Sequence, residues 1–189
     1  MIRCLITNGK AARDEALWLR HLAAWIERGV ELIQIRERDL TARELAALTR
    51  QVVALSHATG TKILVNDRAD VALAAGAHGV HLREGTAPLD GAGPERFREQ
   101  GLLVSAVCHR PEAVGALAAA DYIVLAPIFN PLSKAAVAPP LGLAGIRAAA
   151  RLTAVPLLAL GGIARENQQS CLDAGAAGIA AISYFAGHP

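Results

Sequence analysis

The chain has 189 residues, 53% of them hydrophobic and 19% charged, with a formal net charge of +2. That length suits one domain with a full core and no need of disulfide or metal staples. With only 4% aromatic residues and interspersed charges, there is no basic stripe or stacking platform for nucleic acid. No apolar run approaches the roughly 20 residues of a membrane span, and Met1-Ile2-Arg3-Cys4 lacks a secretory pattern. Three scattered cysteines, Cys4, Cys108 and Cys171, read as reduced thiols of a cytoplasmic protein.

In chain order, a helical pattern, a glycine and a short apolar run recur. Arg3-Cys4-Leu5-Ile6 reads as the first strand. Trp18, Leu22, Trp25 and Ile26 share one helix face, and Gly29 precedes the second strand within 30–35. Thr41 and Glu44 form a capping box for a helix whose apolar face is Leu45, Leu48, Val52 and Leu55. Gly60 precedes the run 62–65, Gly76 the run 79–82, Gly101 the run 102–107 and Gly175 the run 179–182. Such glycines supply the left-handed residue that ends a helix. Runs 122–125 and 156–160 complete eight strands, and Pro94 and Pro111 suit first helical turns. The runs are too short for helices and too apolar for half-exposed strands, so both faces are expected to be covered.

Alternation of this kind predicts parallel strands with right-handed crossovers. A closed α/β (β/α)8 TIM barrel, a single domain over 1–189, fits eight units better than an open doubly wound sheet. An echo of residues 75–80 at 174–179, Ala-Gly-Ala-His-Gly-Val against Ala-Gly-Ala-Ala-Gly-Ile, agrees with half-barrel repetition. The chain is short for this fold, for which roughly 200–250 residues are usual. Either a truncated last helix or a partner subunit in a homo-oligomer covers the wall after Ser183.

Active sites of such barrels lie at the C-terminal ends of the strands. There the sequence places Gln34 and Arg36, Asn66 and Asp67, Cys108 and His109, Ser133 and Lys134, Gly161-Gly162, and Ile182-Ser183. Gly161-Gly162 with the amides around Ile182-Ser183 forms an anion cradle or merely a tight turn. Arg36 either grips a phosphate, diphosphate or carboxylate, or is paired with Asp67 or Glu37. Asp67 is a magnesium ligand or the partner of Arg36 or Arg68, and Glu84 is the nearest further acid, so metal dependence stays open. His109 is a proton shuttle or a structural residue before Pro111. His81 points inward or to the mouth; His21, His57 and His188 are given no role.

These residues, in this order and spacing, resemble the thiamine phosphate synthase / TenI superfamily. The matching blocks run from Ile6-Thr7-Asn8-Gly9 through Gln34-Ile35-Arg36-Glu37-Arg38, Val65-Asn66-Asp67-Arg68, 79–82, 121–123 and 127–129 with Lys134, to Gly161-Gly162-Ile163, Glu166-Asn167 and 174–183. The resemblance implies a cytoplasmic enzyme acting on the phosphorylated thiazole of thiamine biosynthesis. It implies a phosphate held by Gly161, Gly162, Ile182 and Ser183, substrate contacts from Gln34, Arg36, Asn66 and Lys134, and no nucleic-acid or membrane partner.

Two activities are implied. The synthase couples a hydroxymethylpyrimidine diphosphate to thiazole phosphate, with Mg2+ on Asp67 and a second ligand at position 86. Here that position is Thr86, the lysine of the family's run is Arg38, a pyrophosphate-binding serine falls on Val107, and two threonines become Pro131 and Ser133. The TenI-type tautomerase needs no cofactor and moves a proton on thiazole carboxylate phosphate with a histidine aligning with His109. The departures favour the tautomerase, with the synthase as the alternative. A non-catalytic phosphate-ligand binder is a third reading.

Overall fold

The structure is a computed structural model that describes residues 1–9, 13–85, 92–130 and 139–187. Its elements are β1 Ile2–Ile6, α1 Glu15–Glu27, β2 Leu32–Ile35, α2 Ala42–Ser56, β3 Lys62–Asn66, α3 Ala69–Ala75, β4 Gly79–Leu82 and α4 Ala92–Glu99. Then follow β5 Leu103–Cys108, a 3-10 helix Pro111–Leu117, β6 Tyr122–Leu125, α5 Gly142–Ala150, β7 Leu157–Leu160, α6 Gln168–Asp173, β8 Gly178–Ala181 and a 3-10 turn Ser183–Phe185. All strands pair in parallel and in chain order, and β1 closes on β8, with Ile2 opposite Gly178 and Leu5 opposite Ala181. The fold is the expected TIM barrel. Among the described residues no helix is long and apolar enough to cross a membrane.

Strand alternation sorts the core into two shells. Cys4, Ile6, Leu32, Leu64, Tyr122, Val124, Leu158 and Ala180 fill the interior. Leu5, Ile33, Ile63, Val65, Ile123 and Ile179 face outward against the helices. Trp18, Leu22, Trp25 and Ile26 make the buried face of α1, as their spacing predicts. The capping box of α2 forms: Thr41 Oγ1 accepts from the Glu44 amide, and Glu44 accepts from the Thr41 amide at 2.8 Å. Leu55 does not join that helix's buried face; it is exposed, and Thr49 and Ser56 are buried instead. Gly29, Gly76, Gly101 and Gly175 adopt the left-handed conformation expected after a helix, whereas Gly60 does not.

Among the described residues after β8, the 3-10 turn packs on this part of the wall. Phe185 is 1% exposed and meets Trp25 edge-on, ring centroids 4.9 Å apart, while the Trp25 indole donates to the Phe185 carbonyl at 3.3 Å. This aromatic pair ties the turn after β8 to α1. A cavity of about 550 Å³, lined by Leu17, Trp18, Leu22 and Phe185 among others, runs along its α1 side.

Candidate functional site

A polar belt crosses the barrel just beneath the mouth, built from one side chain on each of β2 to β5. Gln34 Nε2 donates to Asn66 Oδ1 at 3.0 Å, Asn66 Nδ2 donates to Asp67 Oδ2 at 3.1 Å, and His81 Nδ1 lies 2.8 Å from Ser105 Oγ. The direction of the first chain is fixed by chemistry. A carboxylate only accepts, so Asn66 must present its amino group to Asp67 and its oxygen to Gln34. The atom left over is Gln34 Oε1, which is buried without a donor. Leaving such an acceptor unmet costs about 1–3 kcal/mol, which is tolerable where a ligand N–H arrives.

His81 is 5% exposed, and burial, aided by the positive charge of Arg36, pushes its pKa down to about 4. The imidazole is therefore neutral inside the barrel at pH 7. In the unfolded chain it takes a proton near its ordinary 6.5, in the folded chain only near 4, so between these values the unfolded state binds more protons. The resulting stability is complete above pH 6.5 and drains away as pH falls toward 4, by at most about 3 kcal/mol. Urea melts at pH 7, 6, 5 and 4 should show this slope in the natural chain and a flatter one in His81→Gln; equal slopes would remove His81 as the titrating group.

Arg36 follows β2 and is half-buried. Its backbone amide donates to Thr7 Oγ1 at 2.8 Å, which locks the loop after β1 to the end of β2. Burial first, then the neighbouring Arg38 charge, lowers its pKa, and Asp67 and Glu37 act in the opposite sense. Among the described residues nothing accepts a hydrogen bond from its guanidinium. The expected alternative partners are engaged elsewhere: Glu37 accepts from the Gly9 amide at 3.1 Å, and Arg68 pairs with Asp70. Asp67 pairs with Arg83, a residue the sequence did not single out. Their meeting depends on the β3–β4 register, which sets Asn66 opposite His81 and so brings the residues just beyond both strand ends together.

Gly161 and Gly162 follow β7 with φ of +105° and +62°. A Cβ on Gly161 would lie 2.9 Å from Pro127 Cβ, and one on Gly162 2.5 Å from the Asn130 carbonyl. Both glycines are thus required by close packing against the loop after β6, not by a turn alone. Asn167, also missed as a site element, clamps this segment: Nδ2 donates to the Gly162 carbonyl and Oδ1 accepts from the Ala164 amide, each at 2.9 Å. No described residue accepts from the Gly162 amide. Ile182 and Ser183 leave the neighbouring strand, β7 and β8 being paired with Leu160 opposite Ala180. The two loops therefore stand side by side at the rim.

His109 is exposed just past β5, and its Nδ1 lies 2.7 Å from the Ala126 carbonyl at the end of β6. A carbonyl only accepts, so Nδ1 carries the proton and Nε2 is left as the basic nitrogen. Lys134, Ser133, Pro131, Thr86 and His188 lie outside the described residues.

The synthase reading brings a magnesium requirement, which the donors at the mouth can be tested against. Asp67 Oδ1 accepts from the Arg83 amide at 2.9 Å, and its Oδ2 takes both Asn66 and the Arg83 guanidinium. Glu84 is exposed, and no group of three or more His, Cys, Asp or Glu among the described residues is placed to hold a metal. Among the described residues the mouth thus offers one carboxylate with most of its acceptor positions already taken, a poor fit to a magnesium site.

The fold is a closed parallel TIM barrel, with these polar groups gathered at the C-terminal mouth of its strands. The chain belongs to the Thiamine monophosphate synthase family, which it matches over residues 3–185. It is 42% identical over 163 residues to the Putative thiamine-phosphate synthase of Geobacter sulfurreducens, covering 85% of this chain and 76% of that one. The Thiamine-phosphate synthase of Roseiflexus sp. (strain RS-1) is 36% identical over 189 residues, covering 98% and 78%. Among solved structures, Thiamine phosphate pyrophosphorylase from Pyrococcus furiosus aligns at TM-score 0.78 and 28% identity, covering 96% of this chain and 85% of that one. The relatives' names thus favour the synthase over the tautomerase that the sequence departures had favoured.

Proposed function

We propose that the chain is a thiamine-phosphate synthase: a transferase that joins a hydroxymethylpyrimidine diphosphate to thiazole phosphate and releases pyrophosphate. Family membership and the names of its relatives support this reading, and the observation that carries it is Arg36, a half-buried cation at the mouth with no described acceptor. In this mechanism Arg36 and Lys134 hold the diphosphate, and their charge favours departure of the anionic leaving group. Gln34 and Asn66 orient the pyrimidine through the unmet Gln34 Oε1. Gly161, Gly162, Ile182 and Ser183 receive the thiazole phosphate, with the Gly162 amide, which has no acceptor among the described residues, supplying one donor. The thiazole nitrogen attacks the methylene carbon as its bond to the diphosphate oxygen breaks, and pyrophosphate leaves with that electron pair.

A second reading, the thiazole tautomerase, draws on His109, whose bond to Ala126 leaves Nε2 basic. Both assays on one preparation separate the readings. Pyrophosphate release that requires both substrates, and that survives His109→Ala within a few-fold, is the expected result. Isomerisation of thiazole carboxylate phosphate that is lost in His109→Ala, with no pyrophosphate release in either protein, would replace the synthase by the tautomerase. Tight thiazole phosphate binding with neither reaction would leave a binding protein.

A further inference from the structure

Asp67 is the single non-glycine residue with positive φ, +58°, among the described residues. Asp tolerates that left-handed backbone better than most residues, yet it is uncommon and is held by surrounding contacts. Here four contacts hold it. Its amide donates to the His81 carbonyl at 2.8 Å, Oδ1 accepts from the Arg83 amide, and Oδ2 takes the Asn66 amide and the Arg83 guanidinium. Its carboxylate is turned toward Arg83, just past the end of β4.

We propose that Arg83 is a built-in counter-cation for Asp67, standing where a divalent ion would bind, so that this mouth carries its positive charge as guanidinium rather than as a resident metal. Two features of the pairing support this. The backbone amide and side chain of one residue engage both carboxylate oxygens, so a metal must compete with Arg83 for either one. The Arg83 side chain is 62% exposed although its Nε meets the carboxylate, so much of the guanidinium stays open to solvent at the rim. A planar, permanently charged group of that kind suits an oxyanion. The inference concerns the mouth that the synthase reading uses, but its test does not depend on which reaction the chain catalyses.

The test is titration with Mn2+, followed by electron paramagnetic resonance, of the full chain and of Arg83→Ala, Arg83→Gln, Asp67→Asn and the double variant Arg83→Ala/Asp67→Asn. Circular dichroism melts verify that each is folded. The natural chain is expected to bind Mn2+ no more tightly than Asp67→Asn. Arg83→Ala and Arg83→Gln should gain roughly tenfold in affinity as the competing pair is lost, and the double variant should lose that gain. Binding by the natural chain that matches Arg83→Ala and disappears in Asp67→Asn would overturn the proposal. So would the absence of any gain in both Arg83 variants. Failure of the synthase reading would show in the pyrophosphate assay and leave this titration unchanged.

Discussion

Arg36→Met is expected to lower kcat/KM for pyrophosphate release by about 10²–10³-fold, the usual effect of removing one charged donor from a transition-state site, without lowering Tm. The guanidinium is half-buried, and that burial disfavours its charge. The carboxylates beside it are committed, Asp67 to Arg83 and Glu37 to the Gly9 amide. Such an arrangement adds little to stability and suits a visiting anion. Met keeps most of the aliphatic stem, so packing against the mouth survives. Steady-state kinetics and thermal melts on the same sample decide the matter. Turnover within a few-fold of the natural chain, or a clear drop in Tm, would make Arg36 a structural residue instead.

Gly178→Ala should be the most damaging single-methyl change in the barrel. Gly178 opens β8 opposite Ile2, and a Cβ there would lie 2.0 Å from the Ile2 carbonyl oxygen and 2.7 Å from its carbon. The obstructing atoms are ladder backbone, which cannot swing aside as a side chain would. Overpacking of this severity costs about 3 kcal/mol or more, out of the 5–15 kcal/mol typical of a domain, and lowers Tm by roughly 6–12 °C. Gly60→Ala is the control: nothing lies within 4 Å of its Cβ and its φ is not left-handed, so it should be neutral or stabilising by up to about 1 kcal/mol. Equal Tm values for the two variants would show that the seam adapts.

The same geometry gives meaning to the echo between residues 75–80 and 174–179. Gly76 and Gly175 each end a helix segment with positive φ, and Gly79 and Gly178 each start a strand where a Cβ would strike the next strand's backbone, at Leu103 and Ile2. Half-barrel equivalence was therefore legible in six residues. So were the strands, because burial on both faces leaves a continuous apolar run, and the α1 face and α2 capping box, because both are local. Leu55 was misplaced because α2 buries Thr49 and Ser56 around that part of its circumference. The Asp67–Arg83 pair and the reason for Gly161-Gly162 were not legible. Both depend on which loops meet across the barrel mouth, and no spacing along the chain encodes the register that brings them together. The choice between synthase and tautomerase turned on single substitutions, and those at 86, 131 and 133 lie outside the described residues.

Closure of the ring on β8 also sets the order in which a nascent chain becomes safe. From synthesis of β2 onward, one flank of β1 has its partner, but the other waits for β8, the last strand to emerge. Contacts so distant in sequence form late, and an unpaired strand flank is a template for aggregation in the interval. Arg3 is anchored on the other side, toward β2, by Glu31 at 3.1 Å and by the Gly29 carbonyl at 2.6 Å, so the flank that awaits β8 stays unpaired until that strand arrives.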